Sequence, residues 1–157
     1  MICTNRRLRI SAALIFLTLA FIWGNSLLPG EVSGAFSQWV KHLLARLLPG
    51  DGPLVEEGSG LLRKIAHFTE FAALGALLAW RSGMRQKSPI GAFCSGGAAA
   101  ALDETIQCFV PGRGPSVTDV LLDCGGVLTG MLLLRLGHAL LKTRIHKNSI
   151  LEDNFHE

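Results

Sequence analysis

Apolar residues fill four long segments of this chain and one shorter, amphipathic one, and polar residues break into them at a few places only. No charged residue occurs from Ile10 to Leu28. A run of that length crosses a bilayer core when it is helical. Around Trp23-Gly24-Asn25-Ser26-Leu27-Leu28-Pro29 there is no convincing small-x-small cleavage site, so the run reads as an uncleaved helix. Further spans are expected over about 61–80, 89–110 and 117–141. From Ser33 to Leu48, Phe36, Val40, Leu43, Leu44, Leu47 and Leu48 recur at helical spacing while Lys41, His42 and Arg46 fall elsewhere. That pattern predicts a helix lying on the membrane surface, and Pro49-Gly50-Asp51-Gly52-Pro53 then forces a loop. The expected fold is all-α: a four-span transmembrane helical bundle with an additional amphipathic surface helix in the first outer loop. One membrane domain, 10–141, lies between a basic amino terminus, 1–9, and a tail, 142–157, whose acidic end from Glu152 is expected to be mobile.

Composition supports this class. The chain is 49% hydrophobic and only 17% charged, too apolar for disorder and unusual for a small soluble domain. Its net charge of +3 is not gathered into a basic, aromatic-interleaved stripe, which excludes nucleic acid as a partner. The excess instead flanks the spans. Arg6, Arg7 and Arg9, the loop with Arg81, Arg85 and Lys87, and the tail with Lys142, Arg144 and Lys147 share one side of a four-span bundle, and the positive-inside rule assigns that side, with both termini, to the cytoplasm. The first loop mixes charges of both signs and does not reverse the assignment. Cys3, Cys94, Cys108 and Cys124 form no CxxC pair and no His stands at zinc-ligand spacing, so neither a metal site nor a disulfide framework is indicated and the cysteines read as buried small hydrophobes. No cofactor is expected.

The polar interruptions carry the candidate chemistry. Lys64, His67 and Glu70 lie in the first half of the second span, and Asp103, Glu104 and Gln107 near the end of the third. Asp119 and Asp123 lie near the start of the fourth, beyond a tight Pro111-Gly112-Arg113-Gly114-Pro115 turn. Residues three or four apart share a helix face, so each cluster makes one polar patch, and the hairpin brings two of the patches together. At 1.5 Å per residue His67 and Asp103 both lie about 10 Å inside their spans, on the outer side. Each charge placed at such depth costs roughly 2.5 to 3.5 kcal/mol, so the groups are expected to line a pocket between spans two, three and four, wetted from outside. Gly96, Gly126 and Gly130 mark close helix packing, with Gly126-x-x-x-Gly130 a small-residue motif of moderate specificity.

Plainer roles compete with ligand binding. Asp119 sits at the end of an S-x-x-D helix start and is as well explained by capping. His67 could bond a neighbouring helix, and Arg113 could anchor the headgroup boundary or grip a phosphate or carboxylate through two parallel bonds. The ligand-binding candidates are therefore Lys64, His67, Asp103, Glu104, Gln107, Arg113, Asp119 and Asp123. For catalysis, His67, Glu70, Asp103 and Glu104 are the groups that could exchange protons, although no nucleophile, phosphate-loop or metalloprotease motif accompanies them.

Lys64-Ile-Ala-His67-Phe68-Thr-Glu70-Phe71, Asp103-Glu104-Thr-Ile-Gln107-Cys-Phe109-Val-Pro111-Gly112-Arg113 and Asp119-Val-Leu-Leu-Asp123-Cys-Gly-Gly126, with Gly130, together resemble the signature of the VanZ-like family. The resemblance covers the chain from Asn25-Ser26 through the fourth span. It implies a small multi-span protein of the bacterial cytoplasmic membrane, in a family whose namesake is associated with low-level resistance to the glycopeptide teicoplanin and most of whose members have no established activity. Two positions depart from the family pattern, which commonly has Asn at Asp123 and an aromatic hydroxyl at Phe71. The resemblance favours a cell-envelope protein that alters the exposure of a glycopeptide or a lipid-linked wall precursor, with membrane lipid around it. A membrane enzyme using His67 with Asp103 or Glu104 is a second reading. A proton or cation pathway is a third, opposed by the apolar inner half of every span.

Overall fold

Proline and glycine set most of the helix boundaries. The computed structural model describes residues 2–47 and 60–153, and among them five helices are the whole of the regular structure: α1 (Ile2–Ser26), α2 (Gly30–Leu47), α3 (Leu61–Met84), α4 (Pro89–Gln107) and α5 (Val117–Asp153). α1 ends just before Pro29, which lacks an N–H and pushes the residue ahead of it out of helical geometry. α2 starts directly after that proline, three residues earlier than the hydrophobic spacing suggests. α4 opens on Ser88, whose hydroxyl accepts the Ile90 N–H at 3.2 Å, with Pro89 in the first helical position where no N–H is needed. It stops at Gln107, short of the expected 110, because Pro111 and the left-handed Gly112 (φ 74°) require a turn ahead of them. α5 overruns the expected 141 and carries the tail in helical form to Asp153, since no glycine or proline follows Gly137 to stop it. The Pro49-to-Pro53 loop and the last residues from Asn154 lie outside the described residues, as do the side chains of Phe36 and Lys41–Leu47 on which the amphipathic reading of α2 rests.

α1, α3, α4 and α5 form the bundle, with α5 packed most closely on α3. Glycine makes this approach possible. A side chain at Gly126 would meet the Phe68 carbonyl at 2.5 Å, one at Gly130 would run into the Ala72 carbonyl, and one at Gly75 into the Val127 backbone. Gly96 of α4 faces the Val127 side chain in the same way. Around this seam Ile22, Phe71, Leu74, Ala92, Ala99, Ala100, Val127 and Met131 form the apolar core.

The outside is apolar as well. Phe16, Ile90 and Leu133 are 71%, 70% and 62% exposed, and Leu17, Phe21, Leu121, Leu132 and Leu136 share their outward aspect. A soluble chain of this size rarely shows so much exposed hydrocarbon, whereas lipid accommodates it. α1 over Asn5–Ser26 and α5 over Val117–Arg144 are long and apolar enough to cross a membrane. α3 and α4 have 24 and 19 residues, but their charged residues and glycines lower their apolarity, so two of the four expected spans meet that measure. Three of the cysteines are not the buried hydrophobes expected: Cys94 and Cys108 are exposed and Cys124 is half-buried, all free thiols, while the side chain of Cys3 lies outside the described residues.

Candidate functional site

Polar side chains gather at the end of the bundle where α1 and α4 finish and α3 and α5 begin. The opposite end carries a separate knot, in which Arg81 donates to the Leu8 carbonyl at 2.6 Å and to the Ser11 hydroxyl at 3.0 Å. Between the two, the facing stretches of α3 and α5 contribute only the apolar core and the glycine seam.

Three sets of residues with different roles make up the polar end. The first fastens the turns. Arg113 donates through Nε to the Leu28 carbonyl at 3.1 Å and through Nη2 to the Asn25 carbonyl at 2.9 Å. These carbonyls lie at the end of α1, where a helix leaves acceptors unsatisfied and favours positive charge. Burial lowers the Arg113 pKa, with Arg63 acting in the same direction and Asp103 and Glu104 against it, but a guanidinium stays charged under such shifts. The Gly30 N–H donates to the Pro111 carbonyl at 3.1 Å, and Gly30 and Gly112 approach so closely that a side chain at Gly30 would strike the Gly112 backbone. Glu104 belongs to this set too, because its Oε1 accepts the Ser116 N–H. In a capping box that N–H is taken by an acid three residues into the same helix, the position Asp119 holds. Glu104 takes it from α4 instead, while the Ser116 hydroxyl accepts from Thr118 N–H at 3.2 Å. Asp119 is thereby left to face Lys64, 3.8 Å away across partly exposed surface.

The second set is the buried centre. Asp103 is fully enclosed; its Oδ2 accepts from Gln107 Nε2 at 2.9 Å and stands 3.8 Å from His67 Nδ1. Gln107 also reaches the buried Ser26 hydroxyl of α1 at 3.5 Å. Asp123 is 2% exposed. His67 Nδ1, Asp103 Oδ1, Glu104 Oε2 and Asp123 Oδ1 are all buried without a hydrogen-bond partner. At 3.8 Å the His67–Asp103 contact is too long for a hydrogen bond, so the two do not form a ready acid–base pair.

The third set faces α1. Glu70 accepts from Asn25 Nδ2 at 3.1 Å through Oε1, leaving Oε2 buried and without a partner.

The space where the sequence puts it is small, and a larger one lies elsewhere. Between α3, α4 and α5 there is room of about 10 Å³, edged by His67, Glu104, Gln107, Asp119 and Asp123, enough for one water-sized particle. The small residues that bring these helices together leave no more. A cavity of about 510 Å³ opens instead on the other face of α3, against α1 and α2. Phe21, Leu28, Val32, Val40, Leu62 and Ile65 give it apolar walls, and Asn25, Arg63, His67, Glu70 and Arg113 form its polar end. Arg113 Nη1 is buried there without a partner.

Lys64, His67, Glu70, Asp103, Glu104, Gln107, Arg113, Asp119 and Asp123 thus come to one end of the bundle, and of these His67 borders both spaces, as does the neighbouring Arg63. Sequence reasoning misses Asn25, Ser26 and Arg63. Asn25-Ser26 is the one pair of strongly hydrogen-bonding side chains in the last turn of an otherwise apolar α1, a signal that was available; Arg63 is hidden among the loop charges.

A family model for VanZ/LLP1 matches residues 8–140, from α1 through the membrane-length part of α5. No curated protein and no solved structure matches the chain. The match takes in every residue of the polar end and most of both long apolar stretches, and the chain is accordingly a member of the VanZ/LLP1 family and a membrane protein.

Proposed function

We propose that this protein is a four-span component of the bacterial cytoplasmic membrane, both termini inside, that holds a lipid-linked wall precursor and alters the exposure of its headgroup to glycopeptides at the outer surface. The observation that carries this reading is the 510 Å³ cavity between α1, α2 and α3, whose apolar walls end on a cluster of charged and amide side chains. A chain lies against the walls and a polar head meets the cluster, where Arg63 and the spare donor of Arg113 suit a phosphate and Glu70 and His67 suit donors beside it. A free peptide antibiotic would gain little from walls of Phe, Leu and Val. The orientation rests on the basic flanks, with Arg7, Lys87 and Arg135 around one hollow at the end opposite the cavity.

A deletion strain challenged with a panel of envelope-active compounds, and complemented with wild type or Asp103→Asn, tests the function. Altered glycopeptide sensitivity is expected, restored by wild type and not by the variant; unaltered sensitivity across the panel counts against the reading. Reporter fusions at Asp51 and Gly114 should read outside and one at Gln86 inside, and a cytoplasmic Gly114 overturns the orientation.

A further inference from the structure

We propose that His67, Asp103 and Asp123 bind one divalent metal ion of the zinc or manganese type. One ligand atom from each lies within 4.8 Å of the other two, and the three come from α3, α4 and α5. The grouping alone would not distinguish a metal site from a cluster of acids. What does so is the state of the atoms: the Oδ1 oxygens of both aspartates and Nδ1 of His67 are buried with no hydrogen-bond partner, although Asp103 is 0% and Asp123 2% exposed. Buried polar atoms are nearly always satisfied, and an orphaned atom on each of three residues that converge within 4.8 Å calls for a common partner.

Arg63, Lys64 and Arg113 stand nearby, but none of them forms an ion pair with Asp103 or Asp123 among the described residues. Lys64 faces Asp119, and Arg113 is held by the Asn25 and Leu28 carbonyls. A dication placed among the three atoms balances two carboxylates at once. The water-sized space beside His67 and Asp123 gives it room. Three ligands to one ion at about 2.0–2.2 Å stand roughly 3 to 3.8 Å apart, so side chains that start near the 4.8 Å limit close by about an ångström or more on binding. Gln107, bonded to Asp103 Oδ2 at 2.9 Å, holds one ligand in orientation, as the outer partners of metal ligands do. One imidazole with two carboxylates suits zinc or manganese better than copper or nickel, which take more nitrogen, or calcium, which takes oxygen alone.

The site shares His67 with the cavity of the proposed function and Asp103 with its complementation test, and it is told apart from that reading by a test that reads metal on the purified chain. The full chain, purified without a polyhistidine tag, stripped with chelator and titrated with Mn²⁺, should take up one ion, and pulsed electron paramagnetic resonance should detect one coupled ¹⁴N nucleus. His67→Gln should remove the nitrogen coupling, Asp103→Asn and Asp123→Asn should each weaken binding at least tenfold, Gln107→Ala should weaken it roughly tenfold or more, and Zn²⁺ should displace Mn²⁺. The proposal is overturned if the wild-type chain binds no stoichiometric ion or binds one without nitrogen coupling, results that need no variant to fold. It is equally overturned if folded Asp103→Asn and Asp123→Asn bind as wild type does.

Discussion

The face of α3 turned toward α5 changes character within one turn. From Phe68 through Gly75 it meets Gly126, Val127 and Gly130 backbone to backbone, with no room for an added carbon. At His67, just before that seam, the neighbours become Asp103 and Asp123, and polar atoms lie buried without partners beside a water-sized space. The seam obtains its attraction from close van der Waals contact, the main force available between helices in lipid. The polar end gives up that contact and holds ionisable side chains with buried atoms that no protein group satisfies. The seam sets the helix positions, and the polar end uses them.

The contrast is broken most severely at Gly130. Gly130→Leu must push α5 off the Ala72 carbonyl, and a cost at or above the roughly 1–3 kcal/mol of overpacking should deplete monodisperse protein after detergent extraction. Gly137→Leu, with open space where its side chain would go, should extract as wild type does. Equal behaviour of the two would show that the seam does not hold the bundle.

Next in size is the fastening of the turn. Arg113→Gln removes the guanidinium that reaches the Asn25 and Leu28 carbonyls, bonds to a charged donor worth about 1.5–3 kcal/mol each in general, and should lower the thermal unfolding midpoint by several degrees. An unchanged midpoint would mean that α1 is seated without the clasp.

The buried centre should behave in the opposite way. Asp103→Asn removes a buried charge while keeping the side-chain shape, so the extracted yield should hold or rise while complementation of the deletion strain is lost. Loss of folded protein in parallel with activity would make Asp103 part of the scaffold.

The smallest effect is expected at Asp119. Its Lys64 contact is long and partly exposed, a kind of pair worth about 0–1 kcal/mol, and Asn begins a helix about as well as Asp, so Asp119→Asn should match wild type in both yield and complementation. A complementation defect would move Asp119 from the rim into the working site.

Asp103, Gln107 and Asp123 are legible in the sequence because charge and amide groups stand out against apolar helices, and helical spacing fixes which of them share a face. The division of labour among them is not. Glu104 and Asp119 look alike in sequence as acids near a turn, yet one closes the cap of α5 from another helix and the other faces Lys64 across partly exposed surface, a difference that depends on α4 bringing Glu104 to the Ser116 N–H. Arg113 reads as a ligand-binding fork and is mostly occupied by backbone, because the turn delivers it to the end of α1, 85 residues earlier in the chain. The pocket is expected among the three acid-bearing helices, where a water-sized space lies, while the cavity of about 510 Å³ opens on the other face of α3.

Local chemistry along the chain determined the helices, their proline and glycine boundaries, the apolar exterior and the residues available for a site, because each depends on neighbours within a turn or two. The tertiary structure decided which of those residues meet. His67, Asp103 and Asp123 stand 36 and 20 residues apart and show no metal-ligand spacing in sequence, yet they converge within 4.8 Å, because three helices packed through glycine bring side chains together at distances that no spacing along one helix encodes.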